Sequence, residues 1–573
     1  MYKKISLAML FFMVVSFYLL SIKPIAASSD NKKADLVLKN GYIYTVDKNR
    51  SEAEALAIKG DKIVYVGDDV GVAEWVDEKT QVIDLKGKMV LPGFIDSHIH
   101  ATDAVDDLYL LSLSGINNLD EYQKAIQEYY KQKPDLKVLL GTGWDNTAFP
   151  AEGPTKESLD EIVNDIPVIL FSIDDHSIWV NSKALEMAGI SGDTPDPDGG
   201  IIERDKDGNP SGTLRENAMD LVENILPEYT INQYIEGINY FQSLAHSYGI
   251  TTVLIPGLEV GSDPLKALSQ MDKEKGLTLR IRTALAMKPE DDITIVPTLV
   301  KAREHEKGGL FEVTSVKFFM DGVVDGGTAY LEEPYENKPD YRGELLWKPE
   351  YFNKFCAALE KAGFQIHVHS IGDASTSVTL DGLAYANKTM PDARPIITHL
   401  QLVKPEDIKR FAELGVIAST QPFWFVVDGT FEQAIEYLGK ERAEHQYPMQ
   451  SFFDKDVVVA SSSDYTVTVH PRPLIAIEQG VTRAYVGETG DESVLPQESE
   501  RATLEEMIAS YTINGAYANF LEKETGSLEV GKKADIVVLD KNLFNLKPNQ
   551  ISTAKEMLVF FEGKEVFRDK SYK

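Results

Sequence analysis

The sequence predicts an α/β fold: a (β/α)8 TIM-type barrel inserted in a small β-sandwich domain built from both chain ends. Short hairpin-like β runs lie near both ends of the chain. Between them, β-branched runs alternate with helical stretches about eight times, the number that closes a parallel barrel. A third observation is chemical. Five of the 10 histidines stand at the ends of three of these runs, where such a barrel carries its active site.

The first 27 residues read as a signal peptide. Tyr2-Lys3-Lys4 is a basic start, Leu7 to Leu20 is an almost unbroken apolar run, and Pro24-Ile25-Ala26-Ala27-Ser28 offers a small-residue cleavage site. The apolar run is short for a spanning helix. The expectation is therefore a cleaved leader, a secreted or extracytoplasmic location at the cell envelope, and no stable membrane span; an uncleaved anchor is the alternative. Residues 28–90 continue as strands at Ala34–Gly41, Tyr42–Val46, Ala55–Gly60 and Lys62–Gly67, bounded by Asn-Gly, Gly-Asp and Asp-Lys turns. Residues 524–573 repeat that texture in Ala534–Asp540 and Met557–Lys564, so the two stretches are expected to form one composite β-sandwich. Residues 91–523 supply the barrel. Its strands are expected at Phe94–Ile99, Val168–Ile173, Thr251–Ile255, Val313–Phe319, Phe364–Val368, Pro395–Thr398, Val416–Thr420 and Val457–Ser461. Helices such as Tyr351–Ala362 and Lys404–Leu414 lie between them. An inserted lobe is expected at about 141–240, rich in turns such as Thr194–Gly200.

Composition narrows the function. Apolar residues make up 43% and charged residues 26% of the chain, which is ordinary for a globular protein. A net charge of −32 excludes a nucleic-acid binder, which needs a basic surface, and serves solubility. Cys356 is the only cysteine, so no intrachain disulfide and no lipidated cysteine near the cleavage site can form. The partner that remains is a small-molecule substrate; a homodimer is compatible with the chain.

The run Val90–His100 enters through Pro92-Gly93 and ends in two histidines spaced i, i+2, which on a strand share one face. Histidine is the commonest metal-binding side chain. Val316–Gly322 places Lys317 inside an apolar run, where an unpaired ammonium is costly and needs a partner or a changed charge state. Gln365–Ser370 holds a second His-x-His, Ile396–His399 ends in a histidine, and Ser461–Asp464 ends in an aspartate. Singly, His369 or His399 reads as a satisfied core histidine. Jointly, with Lys317 and Asp464 in register, they read as a metal site. His367 lies one step deeper than His369 and is expected to pack behind the site. Trp144 is weighed between a core aromatic and a pocket wall. Asp321 and Asp373 are expected to orient loops, and Trp424 and Tyr330 are aromatic candidates for the substrate pocket. His246, His305, His445 and His470 have no matching context.

Pro92-Gly93-Phe94-Ile95-Asp96-Ser97-His98-Ile99-His100 resembles the first-strand motif of the amidohydrolase superfamily of metal-dependent hydrolases. The order His-x-His, Lys, His, His, Asp follows that superfamily's ligand order. More narrowly, the chain is similar to amidohydrolase family 3, the branch with N-substituted formamide deformylase-like proteins. The similarity lies in Gly143-Trp144-Asp145, Asp175–Ser182, Gly322 through Tyr335, His369–Asp373 and Gly526–Asp535, and so spans nearly the whole mature chain. It implies two divalent metal ions, with zinc favoured by nitrogen and oxygen donors and no redox requirement. His98, His100 and Asp464 would hold the more buried ion, and His369 and His399 the second. Lys317, carboxylated on its ε-nitrogen, would bridge them. It also implies substrate contacts for His176, beside Trp179 and Asn181, and for Trp144. An unmodified Lys317 in a salt bridge beside a single metal is the alternative.

This ligand set implies an amidohydrolase that cleaves a non-peptide C–N bond, such as that of an N-substituted amide or formamide, with a metal-activated hydroxide. Asp464 would be the general base and then the general acid. A deaminase or cyclic-amide hydrolase shares the same ligand set. An extracytoplasmic solute-binding protein would share the leader, the acidity and two lobes, but predicts no ligands at five strand ends.

Overall fold

A computed structural model describes residues 33–572 apart from 151, 173–176, 198–199, 325, 387–391, 489 and 491–492. Eight parallel strands form its centre: β1 (Phe94–Asp96), β2 (Ile250–Leu258), β3 (Arg280–Ala286), β4 (Phe311–Phe319), β5 (Gln365–Ser370), β6 (Ile396–His399), β7 (Ile417–Thr420) and β8 (Val459–Ser461). They are hydrogen-bonded in chain order. Main-chain bonds cross the remaining seam: Ser97 N–H donates to the Ser461 carbonyl at 3.3 Å, Asp464 N–H to the His98 carbonyl at 2.9 Å, and His100 N–H to the Tyr465 carbonyl at 2.6 Å. The expected barrel is present. Its strands are almost wholly buried, as parallel strands covered on both faces must be.

The connections are helical: α1 (Ile231–Ser247), α2 (Asp263–Lys273), α3 (Val296–His305), α4 (Pro349–Lys361), α5 (Asp373–Ala386) and α6 (Pro405–Leu414). Proline stands in the first turn of α2, α3, α4 and α6, where its missing N–H costs nothing. A capping box between Thr230 and Gln233 starts α1.

Two expectations about the middle of the chain are corrected. The run at Val168 is not the second barrel strand. As Val168–Ser172 it lies in a separate six-stranded sheet, parallel to Leu139–Trp144 and antiparallel to Ser177–Val180. The unanticipated barrel strand is β3, whose apolar pattern is interrupted by Arg280 and Arg282. The lobe sheet runs from Leu111 to Glu216 rather than over 141–240. Leu111, Leu113, Tyr122 and Ile126 pack with Trp144 in its core, whereas Ile238 and Phe241 of α1 pack into the barrel.

Strands from the two chain ends meet beneath the barrel. One sheet has the order Lys62–Gly67, Ala55–Lys59, Leu36–Lys39, Gln81–Asp84. The other joins Lys564–Arg568, Glu556–Phe561, Ile536–Leu539, Met89–Pro92, Tyr42–Tyr44 and Glu52–Ala53. Leu36, Ile58, Ile43, Val90, Ile536 and Leu558 share the core between them. Met89–Pro92 leads into β1 through Gly93 alone. A Cβ at Gly93 would come within 2.4 Å of the Thr251 hydroxyl, so only glycine lets β1 lie this close to β2. Among the described residues no helix is long and apolar enough to cross a membrane. The expected signal peptide lies outside the described residues.

Candidate metal centre

The C-terminal ends of β1, β4, β5, β6 and β8 bring six of the expected side chains to one cavity: His98, His100, Lys317, His369, His399 and Asp464. Asp96, at the end of β1, anchors two of the loops involved. Its buried carboxylate accepts the N–H groups of His98 at 3.2 Å and of Ser463 at 3.1 Å. His399 and Asp464 both take left-handed backbone conformations, φ +79° and +55°. For non-glycine residues this costs about 1–3 kcal/mol each and collects where a site dictates the geometry.

Asp464 is the hub. Its Oδ1 lies 3.5 Å from His98 Nε2 and 3.3 Å from His100 Nε2, and its Oδ2 lies 3.9 Å from His399 Nδ1. Lys317 Nζ is 3.4 Å from His98 Nε2. The His369 and His399 rings stand 4.5 Å apart. Burial pushes the Lys317 ammonium down to about 7, with Asp464 opposing the shift. Burial also pushes His369 down to about 3 and holds His98 and His399 well below the ordinary histidine value. The imidazoles are therefore neutral near pH 7 and present lone pairs.

These residues fit a metal ion. His98, His399 and Asp464 each bring a donor atom to within 4.8 Å of the others, forming a metal-binding triad. Asp464 Oδ1 is buried without a hydrogen-bond partner, a costly state that a cation would relieve. His399 is oriented from behind, since its Nδ1 lies 3.1 Å from Gln421 Oε1. The Gln421 amide nitrogen donates to Ser462 Oγ at 2.8 Å and Thr398 Oγ1 at 3.1 Å. A proton on His399 Nδ1 leaves the lone pair on Nε2.

The cavity above the triad measures about 740 Å³. Trp424 lines it and stacks on His399 at 5.4 Å. Trp144 does not line it: its indole is buried in the lobe core and donates to the Leu170 carbonyl at 2.8 Å. Tyr330 is absent from the wall, and its N–H is held by Asp321 at 2.9 Å. His176 lies outside the described residues. His367 is buried behind the site, its Nε2 2.8 Å from His98 Nδ1. Gln421, Asp96 and the cavity-lining His470 escape a reading by spacing alone. The only signal for Asp96 is a carboxylate inside an apolar strand, the same kind of signal that picks out Lys317. A larger cleft, about 910 Å³, opens at the opposite end of the strands beside Arg280, Arg282 and Glu312, and holds none of these residues.

Barrel, triad and cavity together define a metal-dependent enzyme acting on a small molecule. The sequence pattern of the amidohydrolase family matches residues 81–567, and the chain belongs to that family, as a hydrolase of C–N bonds. Protein LONG AFTER FAR-RED 3 of Arabidopsis thaliana is 31% identical over 550 residues, covering 93% of this chain and 92% of that protein. N-substituted formamide deformylase of Arthrobacter pascens is 26% identical, covering 92% and 97%. The crystal structure of an uncharacterized metal-dependent hydrolase from Pyrococcus furiosus matches with a TM-score of 0.72 at 26% identity, covering 88% of this chain and 99% of that one.

Proposed function

We propose that the protein hydrolyses the C–N bond of N-substituted amides, formamides included, at a centre that holds two zinc ions. The observation that carries this is the convergence of His98, His399 and Asp464, with His100, Lys317 and His369 on the same cavity wall. In this reading His98, His100 and Asp464 would hold one ion, and His369 and His399 the other. The Lys317 amine, pushed down to about 7 by burial, has a substantial uncharged fraction near neutral pH. Its lone pair can add to CO2 and, with loss of a proton, give a carbamate anion that would offer oxygen donors to the metal positions. When bound, the ions polarise the amide carbonyl and lower the pKa of water toward neutrality. Asp464 accepts the proton of the attacking water and returns it to the leaving nitrogen. Gln421 fixes the His399 ring, and Asp96 holds the Asp464 loop against His98. The similarity to N-substituted formamide deformylase supports the choice of substrate. An extracytoplasmic location is part of the proposal and rests on residues 1–27.

The test combines metal analysis with turnover of N-formyl, N-acyl and cyclic amides. About two zinc ions per chain and cleavage of open-chain amides are expected. Asp464→Ala is expected to lower kcat about 100- to 10,000-fold with little change in KM. Turnover confined to ring opening or deamination would overturn the reading.

A further inference from the structure

The wall of the cavity is apolar far beyond the metal centre. Phe319, Phe423, Trp424, Phe431, Tyr447 and Ile475 line it. The apolar surface continues outward at the mouth, where Val467 and Val469 are 68% and 93% exposed, with Tyr485 and Val486 beside them.

Charge on this wall is scarce. Apart from histidines, Lys317 is the only basic side chain among the described lining residues, and it is fully buried beside His98. The one acid besides Asp464 is Asp428, whose carboxylate accepts the Phe431 N–H at 3.0 Å. Arg483 is not part of the lining; its terminal guanidinium nitrogens donate to the carbonyls of Tyr447, Gln446 and Pro496, and its Nε is buried without a partner. His470 is drawn below the ordinary histidine value by burial and is neutral near pH 7. Its Nδ1 and the Oε1 of Gln479 are buried without partners on the same wall. Such atoms accommodate a neutral polar group and offer no countercharge.

We propose that the enzyme selects amides whose nitrogen carries an uncharged aromatic or branched aliphatic group, and that it rejects N-acyl amino acids and other carboxylates. This rests on the amide reading above. A ring is removed from water against rings and methyl groups. Beyond the metal positions, a carboxylate against this wall is desolvated with no basic side chain to meet it, on a chain of net negative charge.

A matched pair tests this. N-(2-phenylethyl)formamide and N-formylphenylalanine share the ring and the formamide and differ by one carboxylate. With the zinc-loaded enzyme, kcat/KM is expected to favour the neutral amide by about 100-fold or more, as for a buried group left unpaired. Calorimetry on zinc-loaded Asp464→Asn reads binding apart from turnover, and the neutral amide is expected to bind at least about tenfold more tightly. Equal or better use of the carboxylate overturns the selectivity while leaving the amide reading intact. Preferential binding of the neutral compound with no cleavage of either supports the pocket assignment and overturns the amide reading. Absence of both turnover and preference overturns both.

Discussion

Lys317 couples its burial to the stability of the metal-free protein. Its ammonium falls from 10.5 to about 7 on folding because water is removed around it. Above 10.5 both states are neutral. Between about 7 and 10.5 the unfolded chain binds the extra proton, so stability falls as pH drops through this window and levels off below it. In metal-free protein, the guanidinium midpoint of the wild type is expected to gain on that of Lys317→Met as pH rises from about 7 toward 10. A pH-independent difference would refute this account of the lysine. The sequence exposes Lys317 because an ammonium inside an apolar strand has few structural explanations. It exposes His98, His100, His369, His399 and Asp464 because strand ends face one point. Gln421 carries no such mark: a glutamine after a strand is common, and only its 3.1 Å contact with His399 gives it a role. Trp144 belongs to the lobe core, since a buried indole needs one acceptor and Leu170 supplies it.

Among the elements, the loop after β4 depends most on a single side chain. The Asp321 carboxylate accepts the N–H groups of Tyr330 at 2.9 Å, Ile371 at 3.1 Å and Gly372 at 2.9 Å, tying this loop to the end of β5. Phe319 and Val323, which flank Asp321, belong to the cavity wall. Asp321→Ala leaves three N–H groups without their acceptor and is expected to cost about 3 kcal/mol. Denaturation should show that loss, Michaelis kinetics should show a raised KM, and Asp321→Asn should recover part of both. Elements rich in apolar and β-branched residues, such as β2 and β4, are legible from sequence. Val168–Ser172 has the same pattern and yet belongs to the lobe, because periodicity reports burial on both faces and not which sheet provides it. Strand β3 is hidden by its arginines, which reach partners distant in sequence.

At the scale of the whole molecule, Arg280 joins barrel to sandwich. It donates to Asp535 at 2.9 Å, Glu562 at 3.1 Å and Thr252 at 3.0 Å. Asp535 is itself buried and accepts the Thr525 hydroxyl at 2.7 Å and the Glu562 N–H at 2.9 Å. Arg280→Met strands a buried carboxylate and is expected to lower stability by about 3–5 kcal/mol. Because Arg280 lies at the opposite end of the strand from the triad, zinc content and kcat at low temperature are expected to hold. Thermal unfolding together with metal analysis checks both halves. The composite sandwich is legible because both ends of the chain share one hairpin texture, whereas no local pattern announces that Arg280 would be its fastener.

Gly93 alone separates the sandwich strand Met89–Pro92 from β1, and this places a constraint on time as well as on space. During synthesis the last of the six side chains gathered at the cavity emerges with Asp464, yet one edge of Met89–Pro92 stays bare until Ile536–Leu539 arrives. A chain stopped short of that strand would own all six side chains and lack the clamp on the segment that carries His98 and His100. The first of these side chains to be made are therefore the last to be secured, and folding is completed only after translation has passed the barrel.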